Sequence, residues 1–148
     1  MISNATLRRH MHEAAEQNRA GNAWRQAGYQ LIEILRLYQE SLRAEREGHN
    51  NLADIIRDKC QEAAAGGTSV RSGWTANANN LEAEHFRIDL AGGGPAVRII
   101  GDLDRFKQPC NPVLQYQDWG TPWTEFRLMN DIERNAAQWF CSNFYWGD

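Results

Sequence analysis

Asp102 and Asp104 flank Leu103 at the end of an alternating run, so both carboxylates would leave one face of a strand end. With Glu84, His85 or Asp118 beside them, they are the residues best suited to a divalent cation, which takes several carboxylate oxygens. A metal-dependent enzyme using Asp102, Asp104 and His85 is the catalytic alternative that the sequence offers. The competing use is a solvated strand end or turn, the usual fate of exposed carboxylates. A nuclease would add a lysine close to the pair. Lys59 and Lys107 are the only lysines, and neither sits in an acidic-x-Lys string.

The other reactive residue types are scattered. His10 and His12 are two apart in a helical stretch and point to different sides, so they do not make the i, i+4 zinc pair. His49 falls in a turn. His85 projects from a strand beside Glu84 and Arg87; a general base there would need positioned partners, and a surface imidazole is the commoner use. Cys60, Cys110 and Cys141 are widely spaced and form no CxxC pair, which reads as buried or incidental thiols in a reducing cytoplasm. No local pattern makes Cys110 and His85 a nucleophile and base. Gly92-Gly93-Gly94-Pro95 lacks the following helix and lysine of a phosphate-cradling loop and reads as a hairpin turn.

Trp119-Gly120-Thr121-Pro122-Trp123 places two large rings around a rigid turn. They suit a recognition surface or a base-stacking platform, and equally a cover over the open end of the core. Arg25, Arg36 and Arg43 recur on the polar face of the longest helical stretch. Trp119, Trp123, Arg25, Arg36 and Arg43 are the candidate partner-binding residues. No residue is assigned a catalytic, cofactor-binding or metal-binding role, and no cofactor is expected.

Charge narrows the partners. The chain has 16 Lys plus Arg against 19 Asp plus Glu, and neither half forms a basic arm. Strong nonspecific binding to nucleic acid needs many neutralised phosphates, so nucleic acid ranks below protein as a partner. No apolar run approaches the ~20 residues of a membrane span, and the first residues carry charges where a signal peptide would be apolar. A cytoplasmic protein with no membrane partner is expected.

The elements that position these residues follow from periodicity. Asn4 caps a helix over Ala5 to Ala20. Ala23 to Arg46 is the strongest helix, with Trp24, Gly28, Leu31, Leu35, Tyr38 and Leu42 in a heptad-like seam that could also support a homodimer. Gly48 ends it, and Asn50 or Asn51 caps a third helix carrying Leu52, Ile55, Ile56, Cys60 and Ala63. Val70 to Asn80, rich in Ser, Gly and Asn, reads as an irregular loop anchored by Trp74. Phe86, Ile88 and Leu90 alternate with His85, Arg87 and Asp89, and Val97, Ile99, Gly101 and Leu103 repeat the pattern. Asp104 to Pro112 is a polar connection, Val113 to Trp119 a third strand and Trp123 to Leu128 a fourth. Asn130 to Glu133 resembles a capping box, and Ile132, Ala136, Trp139, Phe140 and Phe144 of the last helix would face the sheet. The expected fold is α+β: N-terminal helices with a helical hairpin, a four-stranded antiparallel meander and a C-terminal helix. One domain is expected over 1–148, with residues 1–65 helical, 66–82 a loop, and 83–148 a sheet with its closing helix.

Gly93-Gly94-Pro95-Ala96-Val97-Arg98-Ile99, Gly101-Asp102-Leu103-Asp104, Tyr116-Gln117-Asp118-Trp119-Gly120-Thr121-Pro122-Trp123-Thr124 and Phe144-Tyr145-Trp146-Gly147 resemble short accessory proteins of proteobacterial plasmids, phages and integrated elements. The resemblance covers about Glu82 to Asp148. That group looks like one without an assigned activity, so it carries over no catalytic residues. What it implies is a setting, in which small proteins often act as anti-CRISPR or anti-restriction inhibitors. The resulting expectation is a non-catalytic protein that binds a host defence effector.

Overall fold

The computed structural model describes residues 22–72, 83–91, 96–118 and 120–147. Among the described residues two helices come first, α1 over Asn22–Glu47 and α2 over Asn50–Ala63. Five strands follow: β1 Gly67–Ser72, β2 Ala83–Ala91, β3 Ala96–Leu103, β4 Pro109–Gln117 and β5 Thr124–Glu125. Helix α3, Asp131–Cys141, comes last. The fold is α+β, with one five-stranded sheet in the order β1-β2-β3-β4-β5 and every neighbour antiparallel. The expected helix at Ala5 to Ala20, Trp74, the Gly92 to Pro95 turn and Trp119 lie outside the described residues.

Period-two patterning decides which face of the sheet is covered. Phe86, Ile88 and Leu90 of β2, Val97, Ile99 and Leu103 of β3, and Leu114 and Tyr116 of β4 are buried against the helices. α1 packs on β3, β4, α2 and α3, and α3 packs on β4. Helices and sheet share one buried cluster, from Trp24 and Leu31 through Ile56 and Cys60 to Phe126, Phe140 and Trp146. Trp146 lies 4.9 Å, ring centre to ring centre, from Phe86, and its indole N–H donates to the Cys141 carbonyl at 2.9 Å. The buried face of α1 is wider than the expected seam. Ala23, Ala27, Ile34, Leu37 and Ala44 are buried with Trp24, Leu31 and Leu35, while Leu42 is 40% exposed. Trp24, Gly28, Leu31 and Leu35 of the seam are therefore covered within the chain itself, and Tyr38 and Leu42 only in part.

Helix ends are defined by local chemistry. Gly48 adopts φ +71°, a left-handed turn that costs glycine little, and separates α1 from α2. Asn130 caps α3, its Oδ1 accepting from the Glu133 N–H at 2.9 Å. The Glu133 carboxylate reaches back as in a capping box, but accepts from the Met129 N–H at 2.7 Å, one residue before the cap. α2 follows His49, which makes no side-chain cap bond, so the expected asparagine cap is not used.

Several expectations are corrected. The loop placed at 66–82 contains strand β1, which pairs along β2 from Gly67↔Asp89 to Ser72↔Ala83. Its Gly, Ser and Thr residues have no apolar alternation because an exposed edge strand needs none. The polar connection from Asp104 ends early, since β4 starts at Pro109. β5 pairs only with Gln115 and Tyr116, so Pro109 and Pro112 lie where β4 has a free edge and a missing N–H costs no ladder bond. The strand expected over Trp123 to Leu128 shrinks to Thr124–Glu125, extended by the Phe126 N–H bonding the Leu114 carbonyl at 2.8 Å. Ile132 is 61% exposed, and Glu133 is the buried residue of that turn because its carboxylate folds back onto the chain.

Candidate functional site

The face of the sheet opposite the helices is the largest feature that the core leaves unexplained. It carries the residues that alternate with the buried ones: Ser69 and Arg71 on β1, His85, Arg87 and Asp89 on β2, Arg98, Ile100 and Asp102 on β3, and Val113 and Gln115 on β4. All are half-buried or exposed, and the described helices pack on the other side.

Strand register orders this face. Ser69 is opposite Arg87, so Arg71 is its diagonal neighbour; Arg87 is opposite Ile100, so Arg98 is the next diagonal neighbour. Three arginines thus run obliquely over β1, β2 and β3 at diagonal spacings of ~7–8 Å. Trp123, just before β5, ends the line: the Arg98 guanidinium carbon stands 3.9 Å from the centre of its ring. The Arg98 Nε–H donates to Gln115 Oε1 at 2.8 Å, which fixes the plane of the guanidinium. Burial, with Arg87 and Arg71 near it, pulls the Arg98 guanidinium below its usual value, and Asp89 opposes them. Asp89 lies opposite Arg98 and is 3.3 Å from Arg87 Nε. A hollow of about 310 Å³ opens here, lined by Ser69, Arg71, His85, Arg87, Arg98 and Ile100 among others.

The proposed metal set meets a different arrangement. Glu84, His85, Asp102 and Asp104 line one shallow hollow with Arg105 and Lys107. The aspartates and His85 are engaged with one another or with neighbouring groups. Asp102 Oδ1 is 3.1 Å from His85 Nδ1, and its Oδ2 accepts from Asn111 Nδ2 at 3.1 Å. Asp104 Oδ1 accepts from the Phe106 and Gln108 N–H groups at 2.8 and 2.9 Å, which makes it the organiser of the turn into β4. Asp118 is removed altogether: its Oδ1 accepts from the Ala23 N–H at 3.2 Å, at the start of α1. Among the described residues, no three of His, Cys, Asp and Glu converge as a metal site would require. His85 and Cys110 flank Asp102 from opposite neighbouring strands, so the carboxylate lies between the base and the thiol. The Cys110 thiol points to the Asp102 carbonyl at 3.5 Å and is raised by burial, then by Asp102 and Asp104, which opposes thiolate formation.

Trp123 lies on the open face with Arg98, whereas Arg25, Arg36 and Arg43 are exposed along α1. The solvent side of a helix faces away from the sheet it covers, so Arg36 and Arg43 are a full layer from the Arg98 side. Arg36 is held by Glu33 in a two-oxygen pair at 2.7 and 2.8 Å. Arg71, Arg87 and Arg98 are absent from the candidates that the sequence alone supplies. Alternation places Arg87 and Arg98 outward, but only the strand register brings them side by side, and Arg71 lies in a stretch that reads as loop. No protein-family model, no curated protein and no solved structure matches this chain.

Proposed function

We propose that this chain is a non-catalytic binding protein whose partner is another protein, met by the open face of the sheet. The carrying observation is the Arg98–Trp123 pair on that face, over which none of the described helices packs. Arg and Trp are the residue types most enriched at binding hot spots, and this pair is already oriented by Gln115. β2, β3 and β4 have nine, eight and nine residues, β1 six and β5 two, which at the usual rise and strand spacing gives a face on the order of 500 Å² before its rim is counted. A standard interface takes ~800 Å² from each partner, so this face with its rim is of the right size. The net charge of −3 weighs against a long nucleic acid. The resemblance of the C-terminal half to accessory proteins of mobile elements makes a host defence effector the first partner to test, in the manner of anti-CRISPR or anti-restriction inhibitors.

The test is to identify a protein retained by the tagged chain and to titrate it calorimetrically against variants. Trp123→Ala and Ile100→Glu, on the sheet face, are expected to weaken binding by roughly tenfold or more. Arg43→Glu, on α1, is expected to leave it nearly unchanged. Loss of binding in Arg43→Glu alone, or retention of no protein at all, overturns the reading.

A further inference from the structure

We infer that Arg71, Arg87 and Arg98 form a receptor for an extended acidic segment of a protein partner, with glutamate or aspartate at every second position. The inference rests on the reading above that the open sheet face is the binding surface, and it names what that face recognises.

Charge and spacing both favour such a segment. Along the oblique line three guanidiniums stand with one carboxylate, Asp89, while Asp102 and Glu125 lie on the same face beside the line, so the positive excess is local to the arginines on a chain that is acidic overall. Among the described residues, no carboxylate lines the hollow between Arg71, Arg87 and Arg98. In an extended peptide, alternate side chains leave the same face ~6.6–6.8 Å apart, close to the ~7–8 Å between diagonal neighbours on a sheet. Successive acidic side chains can therefore meet successive arginines without bending either chain. Arg98 is the best prepared of the three. Trp123 lies against the guanidinium and Gln115 engages its Nε, so the two Nη groups are the donors that a bidentate carboxylate would use.

A single-stranded nucleic acid offers a similar charge spacing but fits less well. Arg98 stands over one face of the Trp123 ring, so that face is not open to a stacking base. Asp102 and Glu125 share the face with Asp89 and would repel a polyanion running past the arginines. A short acidic segment can stop at the arginine line.

Fluorescence anisotropy with three labelled probes tests this: a short peptide alternating glutamate and threonine, its glutamine–threonine counterpart, and an oligothymidylate of matched charge. The glutamate peptide is expected to bind, and the glutamine peptide at least tenfold more weakly. Arg71→Ala and Arg87→Ala, both at exposed side chains, should each weaken the glutamate peptide several-fold. Arg98→Lys should also weaken it several-fold, though less than Arg98→Ala, because lysine keeps the charge and loses the fork. Equal binding of the two peptides, tighter binding of the oligonucleotide, or an equal loss in Arg43→Ala would overturn the inference. If no peptide binds while an identified partner still loses affinity on Ile100→Glu, the acidic-segment inference fails and the sheet-face reading stands. If Ile100→Glu also has no effect on that partner, both fail.

Discussion

Phe86 lies directly over Gly101. The two residues are opposite each other on β2 and β3, and a Cβ added to Gly101 would fall 2.5 Å from Phe86 Cε1 and 2.8 Å from the Cys110 carbonyl oxygen. The ring uses the space that a side chain would fill, and it is held from its other side by Trp146.

Gly101→Ala is therefore expected to destabilise the fold by ~1–3 kcal/mol, because a core ring or a backbone carbonyl must shift. Urea unfolding measures it. In combination with Phe86→Leu the added loss should be smaller than in the wild-type background, since the shorter side chain vacates part of the space. An additive result would show that the ring and the glycine are not in contact.

Much of this arrangement is legible in the order of the residues alone. The alternation of Phe86, Ile88 and Leu90, and of Val97, Ile99 and Leu103, reports which side chains are buried, because one face of the sheet is covered and hydrophobic burial follows the pleat. Asn130 is legible as a cap because the chemistry is local to four residues. β1 is not legible, because an exposed edge strand buries no apolar face and two β-branched residues, Thr68 and Val70, among Gly, Ser and Arg do not mark a strand by themselves. The arginine line is not legible for a different reason. Each arginine is visible as outward-facing or polar, but their adjacency is a property of register between three strands. The roles of Asp104 and Asp118 are hidden in the same way: a carboxylate engaged by backbone N–H groups has the same sequence signature as one awaiting a cation.

Asp118 illustrates this across the greatest distance. α1 has no acidic residue in its first turn, and Asp118 accepts from the Ala23 N–H at the positive end of the helix. The carboxylate is fixed by its turn, where Thr121 Oγ1 donates to the Asp118 carbonyl at 2.9 Å and Gln117 Nε2 donates to the Thr121 carbonyl at 2.9 Å. Asp118→Ala is expected to cost ~0.5–2 kcal/mol and Asp118→Asn clearly less, because asparagine keeps an oxygen acceptor. Hydrogen exchange of the first turn of α1 should accelerate in the alanine variant while that of α3 stays unchanged. Equal acceleration in both helices would mean that the residue acts on global stability and not as a cap.

The two buried thiols set a limit on alkaline stability. Cys60 has no exposed surface, and burial, assisted by the charge of Glu33, pushes its thiol up to about 12; burial also raises Cys141 strongly. Below pH ~8 both folded and unfolded chains keep these protons, so the thiols add no pH dependence. Above the ordinary thiol value of ~8.5 the unfolded chain loses protons that the folded chain retains, and stability must fall as pH rises. Each thiol contributes a slope of up to ~1.4 kcal/mol per pH unit, until the folded value is reached. Unfolding free energies measured between about pH 9 and 11 should thus fall more steeply for the wild type than for Cys60→Ala/Cys141→Ala. The variant starts lower because alanine leaves space in the core, but its curve should be flatter. Parallel curves would mean that both thiols ionise as readily in the folded chain as in the unfolded one, and that burial does not hold their protons.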